Sequence, residues 1–176
     1  MASIKLRIEK DLTGPILDLG GGGEGVIGQV YRRQAVAIDN RQEELDEAPE
    51  GPKKLLMDAT ELTFPDASFS HVTAFFTLMY MSPAVQAQAV AQAARVLMPG
   101  GCFHIWDAEI TSAFPDPFLI DLDIDAAGTA IHTTYGIVKE NAAQDSGRFL
   151  RLCQSAGLTP AVRQDHDGWF YLRLLK

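Results

Sequence analysis

The chain has little cysteine, little histidine, no long apolar run and a deficit of positive charge. Only Cys102 and Cys153 occur in 176 residues. They lie far apart and outside the short spacings that hold zinc, which argues against a disulfide framework and leaves no metal motif. Both read as small buried hydrophobes in a reducing setting. Fifteen Lys and Arg stand against 23 Asp and Glu, a net charge of −8. The longest basic clusters are Arg32-Arg33 and Lys53-Lys54. That balance disfavours nucleic acid and anionic membranes as partners, because phosphate affinity comes mainly from cations. No apolar stretch approaches the roughly 20 residues of a membrane span. No charged segment followed by an apolar one opens the chain, so no secretion signal is expected and the setting reads as cytoplasmic. Repeats and low-complexity tracts are absent too.

What is present alternates between short apolar strands and helices. Ile16 to Leu19, Ala35 to Ile38, Lys54 to Met57, Val72 to Phe76 and Cys102 to Trp106 read as strands. Ile4, Leu6 and Ile8 alternate with polar residues and suggest another. Glu24 to Arg33 and Gln42 to Glu47 read as helices. Ser82 offers an N-cap with Pro83 at the first helical position, and the helix it opens stops at Pro99-Gly100-Gly101. Phe118 to Asp125 and Thr129 to Val138 form a hairpin insertion, about 117–138. Ser146 to Ala156 is a helix closed by Gly157. Two last strands join at Asp167-Gly168, a strong hairpin signal. This order predicts one α/β domain over 1–176: a Rossmann-like, mostly parallel seven-stranded sheet with an antiparallel last strand and helices on both faces.

The informative stretch is Asp18-Leu19-Gly20-Gly21-Gly22-Gly23-Glu24-Gly25. Gly20, Gly22 and Gly25 make G-x-G-x-x-G between a strand and a helix, where a ligand can approach the backbone. Asp39 ends the second strand, about 20 residues on, where a carboxylate can accept from ribose hydroxyls. Its alternative role is to cap the next short helix. A pyrophosphate at the glycine turn would meet the negative charge of Asp18; a ligand presenting an ammonium group would suit it better.

The sequence resembles the class I S-adenosylmethionine-dependent methyltransferases, particularly a compact branch related to quinone-biosynthesis enzymes. Four segments carry the resemblance: Ile16 to Gly22, Ala37-Ile38-Asp39, Asp58-Ala59 with Leu62 to Phe69, and Arg95 to Gly101. The resemblance implies S-adenosyl-L-methionine as cofactor. It places Asp18 and the backbone of Gly20, Gly21 and Gly22 around the methionine part. Asp39 goes to the ribose, Asn40 beside the adenine, Asp58 to the adenine amino group and the Ala59 N–H to a ring nitrogen. Phe75 lines the methionine end. Relatives often carry helices before the first strand; this segment is short, so an open site, a lid lent by a partner or reduced activity is expected. Ser70 stands where the family often has an acid.

Methyl transfer leaves no obligatory catalytic signature, since alignment and water exclusion provide much of the acceleration. Thr77, Met79 and Tyr80, after the fourth strand, are the substrate-side candidates, although packing at the start of the next helix is the reading preferred for each. His104 reads as a core histidine, His71 and His166 as surface residues, and His132 as an exposed hairpin residue without function, its alternative being a place at the site mouth. No Asn-Pro-Pro-Tyr-like segment is present, which removes the usual sign of adenine or glutamine methylation. The acidic stripe Asp121, Asp123 and Asp125 reads as an exposed strand face. Its apolar counterpart, Ile120, Leu122 and Ile124, leaves a homodimer open. Two functions follow: a methyltransferase acting on a small molecule, or a cofactor-binding regulator without transfer. A nicotinamide-dependent oxidoreductase is the third reading.

Overall fold

The computed structural model describes residues 3–176. Seven strands form the main sheet: β2 (Ile16–Leu19), β3 (Ala35–Asp39), β4 (Lys53–Leu56), β5 (Phe69–Phe75), β6 (Leu97–Ala108), β9 (Thr159–Asp165) and β10 (Trp169–Leu175). Their order is β4-β3-β2-β5-β6-β10-β9, and β10 runs antiparallel to both neighbours. The chain winds outward from β2 to β4, then returns to β5 on the other side of β2. Strand order therefore reverses between β2 and β5, which is where open α/β sheets bind ligands. All four residues of β2 are buried, as expected of a strand covered on both faces. Asp18 is the polar exception among them.

Helices α3 (Pro83–Val96) and α4 (Ser146–Ser155) cover one face. Ser82 caps α3 by accepting from Val85 N, with Pro83 at the first helical position; Asp145 caps α4 by accepting from Arg148 N. Ala89, Val90, Ala93 and Val96 of α3 pack with Phe103, Phe149 and Phe170 in this core. Phe103, Phe149 and Phe170 are fully buried, and truncating any one of them to alanine is worth about 3–5 kcal/mol. α3 ends at Val96, and Leu97 already pairs with Phe69, so Pro99-Gly100-Gly101 lies in an irregular start of β6 rather than ending the helix.

Helices lie on both faces, as expected, but the opposite face is shared with a small sheet. It carries one short helix, α1 (Val26–Tyr31), which ends in a 3-10 turn at Arg32–Gln34 instead of running from residue 24 to 33. Beside it lies a second sheet in the order β1-β7-β8: β1 (Ile4–Ile8), β7 (Phe118–Ala126) and β8 (Thr129–Ile137). The hairpin is as expected, and β1 joins it in parallel, Ile4 beside Leu122 and Ile8 beside Ala126. Ile120, Leu122 and Ile124 pack with Val26, Ile27 and Val30 of α1 in the second core. This corrects the expectation that they offer a face to a second subunit: their own chain buries them. The short helix α2 (Gln42–Glu47) follows β3 at the rim and buries Leu45.

Candidate functional site

The glycine turn leaves β2 with Gly20 at φ +66° and enters α1 through Gly25 at φ +53°. Packing, as well as backbone freedom, requires glycine here. A Cβ at Gly20 would sit 1.9 Å from Thr77 Oγ1. One at Gly22 would lie 2.5 Å from Glu44 Cβ and 2.8 Å from Asp39 Oδ2. Gly23 N donates to Glu44 O at 2.8 Å, so α2 is tied to the turn.

Beyond the carboxyl ends of β2, β3 and β5 lies a cleft of about 870 Å³, a size suited to a small ligand. Gly20, Gly22, Asp39 and Asn40 line one side, with Asp58 and Ala59 next to them. Phe75, Thr77 and Tyr80 line the other. Asp39 Oδ1 accepts from Arg41 N at 3.0 Å, and Asp58 Oδ1 accepts from Thr60 N and Thr60 Oγ1 at 2.8 and 2.7 Å. Each aspartate is therefore a turn former through one oxygen and keeps its second oxygen for other partners.

Three sequence candidates do not line the cleft. Asp18 is buried behind the turn and accepts from Thr73 Oγ1 at 2.7 Å. Burial raises its pKa to about 7 against the Thr73 hydrogen bond, with the charge of Asp39 adding to the rise. Gly21 commits its amide to Ile38 O at 2.9 Å and cannot offer it to a ligand. Met79 is fully buried in the core beside Phe75 and Phe76, because the 3-10 turn Leu78–Tyr80 directs it inward and leaves Tyr80 half exposed.

Other cleft residues were not legible as such. Glu24 accepts from Thr133 Oγ1 at 2.6 Å and from Tyr135 Oη at 3.2 Å, which fastens the β7–β8 hairpin onto the glycine turn. Tyr135 stacks on Phe76 with ring centroids 5.5 Å apart, and both line the cleft. The hairpin thus supplies one wall of the cleft. Beneath that wall, Lys139 Nζ donates to Met79 O and Met81 O at 2.6 Å each, and fully buried Asp107 accepts from Leu78 N at 3.0 Å. These contacts hold the turn that carries Tyr80. His132 does not approach the cleft; it is exposed and sits 2.8 Å from Asp123 on the outer face of the hairpin.

Four carboxylates, Glu24, Asp39, Glu44 and Asp58, line the cleft. Its lining holds one basic residue, Arg41, paired with Glu44 at 3.0 Å. Such a cleft favours a cationic ligand and disfavours a pyrophosphate, which weighs against a nicotinamide dinucleotide.

The methyltransferase domain family matches residues 17–105, from β2 to the middle of β6. The chain belongs to the class I methyltransferase family. Its fold is that of a Methanosarcina mazei S-adenosylmethionine-dependent methyltransferase, at 17% identity and TM-score 0.68 over 94% of each chain. A Mesorhizobium loti methyltransferase gives 16% identity and TM-score 0.66 over 92% of this chain and 90% of that one. A Burkholderia thailandensis 1,6-didemethyltoxoflavin-N1-methyltransferase, solved with 1,6-didemethyltoxoflavin and S-adenosylhomocysteine bound, gives 16% identity and TM-score 0.62 over 93% of this chain and 72% of that one. A search of the curated proteins found no match. S-adenosylmethionine is the cofactor of this methyltransferase family, and the cleft fits it. Its sulfonium and ammonium charges suit the acidic lining, and Gly22 leaves the space that a Cβ would take from Asp39.

Proposed function

We propose that the protein transfers a methyl group from S-adenosylmethionine to a small-molecule acceptor. The carrying observation is the division of the cleft into an acidic, glycine-lined half and an aromatic half made by Phe75, Phe76, Tyr80 and Tyr135. In the acidic half, the free oxygen of Asp39 would hold the ribose hydroxyls. The free oxygen of Asp58 would accept from the adenine amino group, with the Ala59 N–H and Asn40 beside the ring. The backbone at Gly20 and Gly22 would meet the methionine part. Asp18 would balance the ammonium charge from behind the turn. When bound, the cofactor supplies a methyl group on a sulfonium, a good neutral leaving group.

The chain's own work is then alignment and exclusion of water. Tyr135 and Phe76 form a wall of the cleft that would shield the bound cofactor from water, and Glu24 holds that wall in place. The aromatic half offers stacking surface to a planar or apolar acceptor. The resemblance to the quinone-biosynthesis branch points the same way. A general base is needed only where the acceptor is a poorly ionised hydroxyl or amine.

Calorimetric titration with S-adenosylmethionine and S-adenosylhomocysteine tests the site, with Asp39→Asn beside it. Both ligands are expected to bind with one-to-one stoichiometry, and the variant to lose about tenfold or more, the worth of one charge-assisted hydrogen bond. A panel of aromatic and apolar acceptors, read by S-adenosylhomocysteine release, tests transfer. Failure of both ligands to bind the folded protein would refute the proposal.

A further inference from the structure

At the other end of the main sheet, a second cluster of chemically active side chains lies on the face that carries the small sheet. β5 and β6 pair with His71 beside Cys102 and Thr73 beside His104. Alternation along the strands puts His71, Cys102 and His104 on one face. One ligand atom from each of the three lies within 4.8 Å of the others. His71 Nδ1 and His104 Nε2 are 3.1 Å apart. Tetrahedral zinc with Zn–N bonds of about 2.0–2.1 Å needs its nitrogens about 3.3–3.4 Å apart, so only a few tenths of an ångström separates this pair from a ligating one.

We propose that His71, Cys102 and His104 form a binding site for a zinc-class divalent ion. The far side of His104 is already organised as such a site requires. Its Nδ1 lies 2.9 Å from Tyr171 Oη, which turns Nε2 toward the cluster. Metal-bound imidazoles commonly have their second nitrogen held in this way, fixing tautomer and ring plane. His104 also stacks on Trp106, with ring centroids 5.9 Å apart, so the ring has little freedom to turn away. His71 and Cys102 are part-exposed, which gives an ion a route in and leaves a fourth position for water. Two imidazoles and a thiolate are a donor set that prefers zinc or copper to magnesium or calcium. Spacing along the chain hides the site, because His71 and Cys102 stand 31 positions apart and meet only through the register of β5 and β6.

The site is separate from the cofactor cleft. His71 lies toward the start of β5, whereas Phe75 and Thr77 meet the cleft at its end. An ion here would pin β5 to β6 beneath the loop that leads into β2. Its role would be to stabilise the sheet that carries the cleft.

The test uses the full chain, freed of metal with a chelator and titrated with Co(II) and then Zn(II). One equivalent of Co(II) is expected to give visible ligand-field bands and a near-ultraviolet thiolate charge-transfer band. Cys153 is fully buried, so that band reports Cys102. Zn(II) should displace Co(II) and bleach the spectrum. Cys102→Ser should abolish the charge-transfer band. His71→Gln should weaken Co(II) binding at least tenfold, while His132→Gln, at an exposed histidine paired with Asp123, should change nothing. His71 and Cys102 are part-exposed, so both variants should keep the circular dichroism of the parent. A chain that takes up no Co(II), or one whose binding survives both Cys102→Ser and His71→Gln, would overturn the proposal.

Discussion

Adding one methyl group at position 22 distinguishes a glycine turn built for a cofactor from one that merely connects a strand to a helix. The φ of Gly22 lies outside the left-handed region, so alanine there is resisted by contacts alone. The new Cβ would lie 2.5 Å from Glu44 Cβ, 2.8 Å from Asp39 Oδ2 and 2.9 Å from the Glu44 carbonyl carbon. Carbon atoms rest about 3.5–4.0 Å apart, so a shift of roughly 1 Å is needed. Glu44 cannot give freely, because its carbonyl accepts from Gly23 N at 2.8 Å and from Ala48 N at 3.1 Å. Overpacking of this kind costs about 1–3 kcal/mol, and for a chain of this length each kcal/mol lowers Tm by about 2–4 °C. Asp39 must also turn its free oxygen away. Losing one hydrogen bond to a charged acceptor, about 1.5–3 kcal/mol, weakens binding about 10- to 150-fold. Gly128→Ala is the control. Gly128 sits at the hairpin tip with φ +92° and nothing within 4 Å of an added Cβ, so alanine there costs about 1–2 kcal/mol of backbone strain only. Thermal unfolding and calorimetry with S-adenosylhomocysteine should therefore show similar losses of stability but weakened binding in Gly22→Ala alone. Parental affinity in Gly22→Ala would refute the reasoning.

Asp107→Ala strands two buried amides, Leu78 N and Ala108 N, now 3.0 and 2.8 Å from the carboxylate, and takes from Gln144 Nε2 one of its two acceptors, leaving it Ala108 O. Urea unfolding should show a loss of about 3–5 kcal/mol, and Asp107→Asn, which keeps an acceptor, should lose less. Glu24→Gln weakens the tie to Thr133 and Tyr135; the hairpin wall loosens, and S-adenosylhomocysteine should dissociate several-fold faster in a stopped-flow chase. Burial raises the pKa of Asp18 and of Asp107 from 3.8 to about 7, so each binds its proton more tightly folded than unfolded. Their contribution to stability is therefore greatest at low pH and falls as pH rises from about 4 to 7. Asp18→Asn should flatten the fall in Tm between pH 5 and 7.5. It should also remove any rise in cofactor affinity across pH 7, since only the ionised carboxyl attracts an ammonium.

The parts of the fold legible in the sequence are those fixed by neighbours in the chain. Ser82-Pro83 announces α3 through a cap and a first-turn proline, and Asp167-Gly168 announces the last hairpin, where Gly168 takes φ +81°. The cofactor half of the site follows the same rule. Gly20, Asp39 and Asp58 each stand at or just beyond a strand end, and the sheet order places those ends side by side. A motif gives position along the chain and not depth, and Asp18, Gly21 and Met79 each stand one step behind the cleft wall. What the sequence hid is non-local. The alternation of Ile4, Leu6 and Ile8 shows a strand but not that its partner is Leu122 to Ala126, more than 100 residues away. Glu24 looks like a spare polar residue in the turn until Thr133 and Tyr135 are brought to it. The proposed acceptor side is assembled in this way throughout, from Phe76 and Tyr80 after β5 and Tyr135 on β8. A segment contiguous in sequence can identify a cofactor; an acceptor pocket closed by an inserted hairpin has no such segment, so the substrate must be sought in the shape and chemistry of that wall.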